Sequence, residues 1–278
     1  MKKFAVIGYP IAHSLSPAMH NDLFAYYNID AYYKAILVHP DKLGEEFLKM
    51  KNDQFNGFNI TVPHKTAIIP FLDELDPLAE AIGAVNTVVN QNGKFIGYNT
   101  DGNGYMQGLL DEKLDLFAKS VLLVGAGGAA RAIYYTMAQA GVKRLDICNR
   151  TVSRAKKLIE DCPYQTESKA ISFSEAEQKL ADYQIIVQTT TIGMLPDVDA
   201  SPFSLAQLPA ASVVSDIIYN PFETRFLREA REQGAFIQNG VSMFAYQGAL
   251  AFEKWLGFFP DVARMKHNIE KQLGGLSC

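Results

Sequence analysis

The chain has 278 residues, of which 48% are hydrophobic and 20% charged, and it carries a formal net charge of −4. That length and balance suit a globular protein of one large domain or two ordinary ones. With no basic excess to drive counterion release, composition argues against a nucleic-acid binder.

The opening MKKFAVIGYPIA has too short an apolar run for a signal peptide, and Gly8 and Pro10 interrupt it. Phe4 to Ile7 instead reads as a first strand. No apolar run reaches membrane-spanning length. The three cysteines, Cys148, Cys162 and Cys278, follow no metal or disulfide spacing, so no metal and a cytoplasmic, reducing setting are expected.

After the loop GYPIAHSLSP, Pro17 opens a helix with Ser16 placed as its N-cap and Ala18, Leu23, Phe24 and Tyr27 as its apolar face. Ala31 to Val38 is a second strand. HPDKLGEEFLKMK is a helix, acidic early and basic late as the helix dipole prefers. Gly57 to Val62 is a third strand, stopped by Pro63. A helical region, IIPFLDELDPLAEAIG, follows His64-Lys65. Val85 to Val89 and Phe95 to Tyr98 flank Asn92-Gly93, a hairpin signal. A helix from about Asn103 to Asp111 then leads on.

Val121 to Arg131, VLLVGAGGAAR, is the chain's most informative stretch. Four apolar residues form a buried strand, and the helical run AARAIYYTMAQAG comes after the glycines. Gly125-x-Gly127-x-x-Ala130 fits the dinucleotide fingerprint. Gly125 turns the chain sharply, Gly127 lets a pyrophosphate approach the backbone, and Ala130 allows close helix packing. The helix N-terminus offers free N–H groups and partial positive charge to phosphates. A glycine triplet alone also reads as a tight turn; the flanking strand and helix, and a second strand at Arg144 to Cys148, select nucleotide binding.

That second strand ends in Asn149-Arg150-Thr151, with Arg154 one turn on, where an NAD site usually carries an acid. Guanidinium and hydroxyl groups favour a 2′-phosphate, hence NADP. The other reading is a solvated helix start, which the helix dipole disfavours for cations. Gln184 to Thr190, Ser212 to Ile218 and Ala235 to Asn239 are later strands, with ETRFLREAREQ a helix between the last two. Such alternation implies a parallel sheet with helices on both faces. SMFAYQGALAFEKWLG, capped by Ser242, and PDVARMKHNIEKQL end the chain as helices.

Several polar residues stand out in the first hundred positions. Ser14 and Ser16, two apart in an extended segment, present their hydroxyls to one side and can hold a substrate carboxylate; Ser16 also reads as a helix cap and Ser14 as a loop serine. Asn59 and Thr61 share a strand face. Lys65, after a proline stop near a helix start, is poorly placed for the dipole, or else a solvated lysine. Asn86 and Asp101 sit at segment ends, and Asp101-Gly102 also reads as a turn.

GYPIAHSLSPAMHN, FNITVPHK, GAVNTV, GYNTDGNG, VLLVGAGGAAR, NRT, IYNP, NG and YQGALAFEKW run in an order and spacing that resembles the shikimate dehydrogenases over essentially the whole chain. The resemblance implies an α/β protein of two domains with a cleft. Residues 1–101 and 240–278 would form the substrate-binding domain, and 102–239 a Rossmann-type, doubly wound NADP-binding domain. It implies an NADP-dependent oxidoreductase that reversibly reduces 3-dehydroshikimate to shikimate on the route to chorismate and aromatic amino acids. Such an enzyme takes a small-molecule substrate, needs neither nucleic acid nor membrane, and is a monomer or homodimer.

The resemblance also implies roles. Lys65 and Asp101 match the catalytic pair. Ser14, Ser16, Thr61, Asn86, Asp101, Tyr219 and Gln247 match positions that hold the substrate. Gly125, Ala126, Gly127, Gly128, Ala129, Asn149, Arg150, Thr151, Arg154, Ile217, Gly240 and Met243 match the cofactor side. One departure is QTTTIG from Gln188, where many relatives read NATPxG; Gln188 and Thr191 replace Asn and Pro in a loop beside the cofactor. Lys65 either relays a proton, with Asp101 orienting it, or stays charged and polarises a carbonyl. The alternatives in function are a quinate- or NAD-using dehydrogenase and a non-catalytic dinucleotide sensor, for which a retained Lys65 and Asp101 would serve no purpose.

Overall fold

The computed structural model describes residues 1–113 and 116–274. Cys278, and with it the domain end set at 278, lies outside the described residues. The chain divides into two compact units, Met1–Gly104 with the chain from Ala245 onward, and Tyr105–Phe244.

The first unit begins with β1 (Lys2–Gly8), α1 (Ser16–Tyr26), β2 (Ala31–Leu37), α2 (Leu43–Asn52), β3 (Gly57–Ile60) and α3 (His64–Ala67). It continues through β4 (Glu74–Leu75), α4 (Pro77–Ile82), β5 (Thr87–Gln91) and β6 (Lys94–Tyr98). Its six-stranded sheet has the order β2-β1-β3-β5-β6-β4. β1, β2 and β3 run parallel, whereas β5 is antiparallel to both β3 and β6. The hairpin turns as expected at Asn92 (φ 55°) and Gly93 (φ 91°), both in the left-handed conformation that two-residue hairpin turns require. Phe47, Phe58 and Phe95 meet edge to face or tilted in the core on one side of this sheet.

α5 (Asp101–Asp111) leads to β7 (Ser120–Val124), α6 (Gly128–Gln139), β8 (Arg144–Cys148), α7 (Val152–Glu160), β9 (Ala170–Ile171) and α8 (Phe173–Gln178). β10 (Ile185–Gln188), β11 (Val213–Asp216), α9 (Arg225–Glu232) and β12 (Phe236–Gln238) follow. These strands form a second six-stranded sheet, β12-β11-β10-β7-β8-β9, parallel throughout. The strands are nearly continuous apolar runs because a parallel sheet is covered on both faces. The order reverses between β7 and β10, the point where such sheets receive nucleotides. α10 (Val241–Leu256) and α11 (Val262–Gln272) end the described chain, and Arg264 on α11 grips Asp22 on α1 through two bonds of 2.6 and 2.8 Å.

The structure corrects several local expectations. α1 already includes Ser16; Leu15 is its N-cap, without a side-chain bond. The Ser14 hydroxyl accepts the Ser16 N–H at 3.4 Å, and Ser16 itself is buried. Met19, His20, Leu23 and Phe24 make the inward face, whereas Ala18 is exposed and Tyr27 half-buried. His20 lies inward because its ring stacks on Tyr33 at 4.5 Å, and burial lowers its pKa to about 3, so it is neutral.

The helical region after Lys65 is broken: a 3₁₀ turn at Ile69–Phe71, then β4, then α4. Pro70 and Pro77 lack the N–H that a continuous helix would use. α5 starts at Asp101, two residues early, with an acid in its first turn as the dipole favours. Ser242 lies inside α10; the Asn239 side chain accepts the Val241 N–H at 3.1 Å in its stead. The strands expected at Gly57–Val62, Gln184–Thr190 and Ser212–Ile218 end two residues sooner, where site loops begin.

α10 comes tightly against the first sheet at Gly57. A Cβ there would stand 2.2 Å from Trp255 Nε1 and 2.7 Å from the Val88 carbonyl, which accepts the Trp255 indole N–H at 2.9 Å. Gly57→Ala is therefore expected to lower unfolding stability by about 1–3 kcal/mol, the usual cost of overpacking. Trp255→Phe, which loses the bond without the clash, should cost about 1 kcal/mol. Urea denaturation of both variants checks the ranking.

Candidate active site

The first sheet gathers polar residues at one end. β1, β3 and β6 finish there and β5 starts there, because β5 alone of the four runs the other way. Thr61 follows β3, Asn86 precedes β5, and Asn99, Thr100 and Asp101 follow β6. Lys65 stands on α3, one turn beyond β3, with its carbonyl accepting the Val85 N–H at 2.8 Å.

Asn86 is the centre of this group and is 2% exposed. Its Oδ1 accepts the Thr100 N–H at 2.8 Å and the Thr87 hydroxyl at 3.0 Å. That fixes the amide, so Nδ2 faces the other way and donates to Asp101 Oδ1 at 2.7 Å and Thr100 Oγ1 at 2.9 Å. Asp101 Oδ2 in turn accepts from Lys65 Nζ at 2.5 Å. The lysine side chain is 32% exposed and the aspartate 13%. The ion pair is thus half sheltered, with one of the three ammonium donors committed to Asp101 and part of the lysine head exposed.

The network extends inward. Thr87 Oγ1 accepts from Asn59 Nδ2 at 3.0 Å, and Asn59 Oδ1 accepts the Tyr33 hydroxyl at 2.7 Å. Burial raises the Tyr33 pKa well above the ordinary phenol value. Asn59, Asn86, Asp101 and Lys65 therefore belong to one continuous hydrogen-bonded series, whereas the Ser16 N–H meets the Ser14 hydroxyl. Thr61 stands beside it, where its Cγ2 fills the space of a Gly8 Cβ, 2.5 Å away. The Gln247 backbone lies against Gly104 of α5, and a Cβ there would meet its nitrogen at 2.5 Å. Tyr33, Thr87 and Thr100 are the members with no distinct sequence signal; register alone would place Thr87 and Thr100 together, since Thr87 pairs with Tyr98.

The second unit carries the fingerprint turn. Gly125 has φ 115°, so glycine is required there, and its N–H donates to the Cys148 carbonyl at 2.8 Å. Ala130, in the first turn of α6, is fully buried. A Cβ on Gly127 or Gly128 would meet nothing within 4 Å, so the backbone at the start of α6 is open to a phosphate. Ala126 and Ala129 are half-buried beside it. Asn149 Nδ2 donates to the Thr151 carbonyl at 2.8 Å, which shapes the turn into α7.

Arg150, Thr151 and Arg154 are exposed. The unit's ion pairs run from Arg131 and Lys157 to Asp161, from Arg144 to Asp146, from Arg225 to Glu229 and from Arg231 to Glu223. Arg150 and Arg154 take part in none of them. Gly240 approaches Ile217 so closely that a Cβ would lie 2.1 Å from its carbonyl oxygen. Tyr219 packs on Phe244 at 5.1 Å and burial raises its pKa; Met243 is half-buried nearby in sequence. Among the described residues, no three His, Cys, Asp or Glu side chains converge to hold a metal, and no helix is long and apolar enough to cross a membrane.

Three family models match the chain. They are the shikimate dehydrogenase substrate binding domain over residues 6–88, shikimate / quinate 5-dehydrogenase over 109–195, and the shikimate 5′-dehydrogenase C-terminal domain over 240–269. The shikimate dehydrogenase (NADP(+)) of Geobacillus sp. strain WCH70 is 53% identical over 275 residues, covering 99% of each chain. Among solved structures, shikimate 5-dehydrogenase from Listeria monocytogenes in complex with shikimate and NAD has a TM-score of 0.91 at 36% identity, covering 96% of each chain. The Thermus thermophilus enzyme in complex with NADP(H) and shikimate has a TM-score of 0.88 at 36% identity, covering 98% of this chain and 99% of that one.

Proposed function

The chain belongs to the shikimate dehydrogenase family, and from that premise we propose that it reversibly reduces 3-dehydroshikimate to shikimate with NADPH. The observation that carries the mechanism is the bonded series Asn86–Asp101–Lys65 at the sheet end. Interconverting a secondary alcohol and a ketone moves a hydride at carbon and a proton at oxygen. When bound, NADP(H) is the hydride carrier. The proton is the task of the protein's own groups.

Lys65 Nζ is the proton relay. In reduction it donates to the forming alkoxide; in oxidation it receives the hydroxyl proton. Asp101 holds that ammonium through Oδ2, and Asn86 holds Asp101 through Oδ1, so neither group needs to reorganise as charge develops. Ser14, Ser16, Thr61 and Gln247 hold the substrate's carboxylate and hydroxyls, as does Tyr219, each offering a polar group that fixes orientation.

The residues of the second unit fit a dinucleotide. Gly127 and Gly128 leave the helix start open for the pyrophosphate. Arg150 and Arg154, exposed at the start of α7 and without a carboxylate partner among the described residues, oppose the helix dipole unless an anion joins them. A 2′-phosphate supplies that anion, and this makes NADP the preferred cofactor. Ala126, Ala129, Asn149, Thr151, Ile217, Gly240 and Met243 complete the cofactor side.

Lys65→Ala is expected to lower kcat by about 10²–10⁴-fold, the range of a lost acid–base group. KM should change much less, since the loss falls on the transition state. Steady-state kinetics in both directions check this; a steep rise in KM at constant kcat would make Lys65 a binding residue. Arg150→Ala should raise KM for NADP about ten- to hundredfold, the worth of a hydrogen bond to a charged group. Its rate with NAD should stay nearly unchanged, and equal weakening toward both cofactors would remove the 2′-phosphate from the account.

A further inference from the structure

β7, β10 and β11 end abreast. Val124, Gln188 and Asp216 are register partners, and the loops leaving them carry Gly125, Thr189 and Ile217. Gln188 and Asp216 are both 0% exposed. Asp216 Oδ1 accepts the Ile218 N–H at 3.0 Å and Oδ2 accepts the Thr224 hydroxyl at 2.8 Å. Gln188 stands beside Asp216 as its register partner on the adjoining strand.

Gln188 reaches the other way. Its Oε1 accepts the Thr190 N–H at 2.5 Å, and its Nε2 donates to the Ile192 carbonyl at 3.0 Å. The loop it holds fills the hollow of the fingerprint turn: a Cβ on Gly125 would stand 2.7 Å from Thr189 Oγ1 and 2.8 Å from Thr190 Cγ2. On the Asp216 side, the Ile218 carbonyl accepts the Gly240 N–H at 2.9 Å. Three places matched to the cofactor (Gly125, Ile217 and Gly240) are thus tied to one buried carboxylate–amide pair.

We propose that Asp216 and Gln188 are positioning residues for the dinucleotide, fixing the fingerprint turn and the Ile217–Gly240 contact as one rigid seat. The proposal rests on the reading of Gly125–Ala129 as the NADP site. Burial opposes the charge, which a fold-building role alone would not require. It pushes the Asp216 acid up to about 7 despite the bonds from Ile218 and Thr224. The ionised carboxylate only accepts, which suits the Ile218 N–H and the Thr224 hydroxyl aimed at it; the protonated form turns a proton toward one of them and loses that bond. The seat is therefore tight above about pH 7 and looser below it.

The Tyr105 phenol feels this charge, and burial raises it far out of the neutral range. Thr224, and Ser215 on the same strand as Asp216 with its bonding partner Gln238 on the adjoining β12, are uncharged. The sign for stability is opposite to that for binding. An acid raised above its ordinary value favours folding most at low pH, and that contribution is lost as pH rises toward about 7. Asp216→Asn is therefore expected to keep or raise Tm at pH 8 while weakening the seat.

The test is calorimetric titration of the whole protein with NADP, alongside Tm, for wild type, Asp216→Asn, Gln188→Met and the double variant. Asp216→Asn should raise Kd about tenfold at pH 8, the loss of one hydrogen bond to a charged group. At pH 6, where the wild-type acid is protonated, the ratio should fall toward one, and the titration of the 2′-phosphate cancels in that ratio. Gln188→Met should raise Kd similarly with Tm held, and it carries the test should Asp216→Asn fail to fold. The double variant should exceed neither single variant by much, because the two act as one unit. Unchanged Kd at pH 8 for both single variants, or an Asp216→Asn ratio that is the same at both pH values, would overturn the pair's role. A wild-type chain that does not bind NADP would instead overturn the cofactor reading beneath it.

Discussion

The Asn86 amide cannot turn over. Its oxygen accepts from Thr100 and Thr87, so its nitrogen must face Asp101. A flipped amide would set donor against donor on one side and oxygen against carboxylate on the other, between groups that are buried. This one constraint places a carboxylate at the end of the sheet and, through it, the Lys65 ammonium. A salt bridge exposed on a helix would wander among rotamers; this one is held by a strand-end asparagine that is itself bonded on both sides.

The same economy governs the second unit, but with backbone as the material. Glycines occur where one segment must pass within a side chain's width of another: Gly125 beneath Thr189 and Thr190, and Gly240 against Ile217. Parallel strands bring three loop origins abreast, and hydrogen bonds from buried side chains then choose how each loop leaves. The apolar strands and helices make the platform. The polar residues at its edge decide what the platform presents.

Much of this is legible in sequence because the signals have local causes. Val121 to Ala130 spells strand, glycine turn and helix within one short run, and Asn92-Gly93 fixes its hairpin by backbone conformation alone. Lys65, Asn86 and Asp101 each have an ordinary explanation when read singly, and only the resemblance joins them. What sequence does not show is the pairing geometry. That Thr87 stands opposite Tyr98, or that Tyr33 reaches Asn59, depends on register across 26 residues or on a strand crossing. The expected cap at Ser16 fails because the helix already includes Ser16, whose N–H is taken by the Ser14 hydroxyl. Asp216 gives no sign of itself; a lone acid in an apolar run becomes informative only when the donors around it are known.

The central claim is that this chain turns over shikimate with NADP. It is tested most directly by mixing the purified protein with shikimate and NADP and following the absorbance of the reduced nicotinamide, with quinate and with NAD as the comparison substrates. The account predicts sustained NADPH formation with shikimate, much slower formation with quinate, and a marked preference for NADP over NAD. Binding of NADP without any turnover of shikimate would contradict it and would favour a dinucleotide-sensing module. Equal rates with NAD and NADP would contradict the role assigned to Arg150 and Arg154.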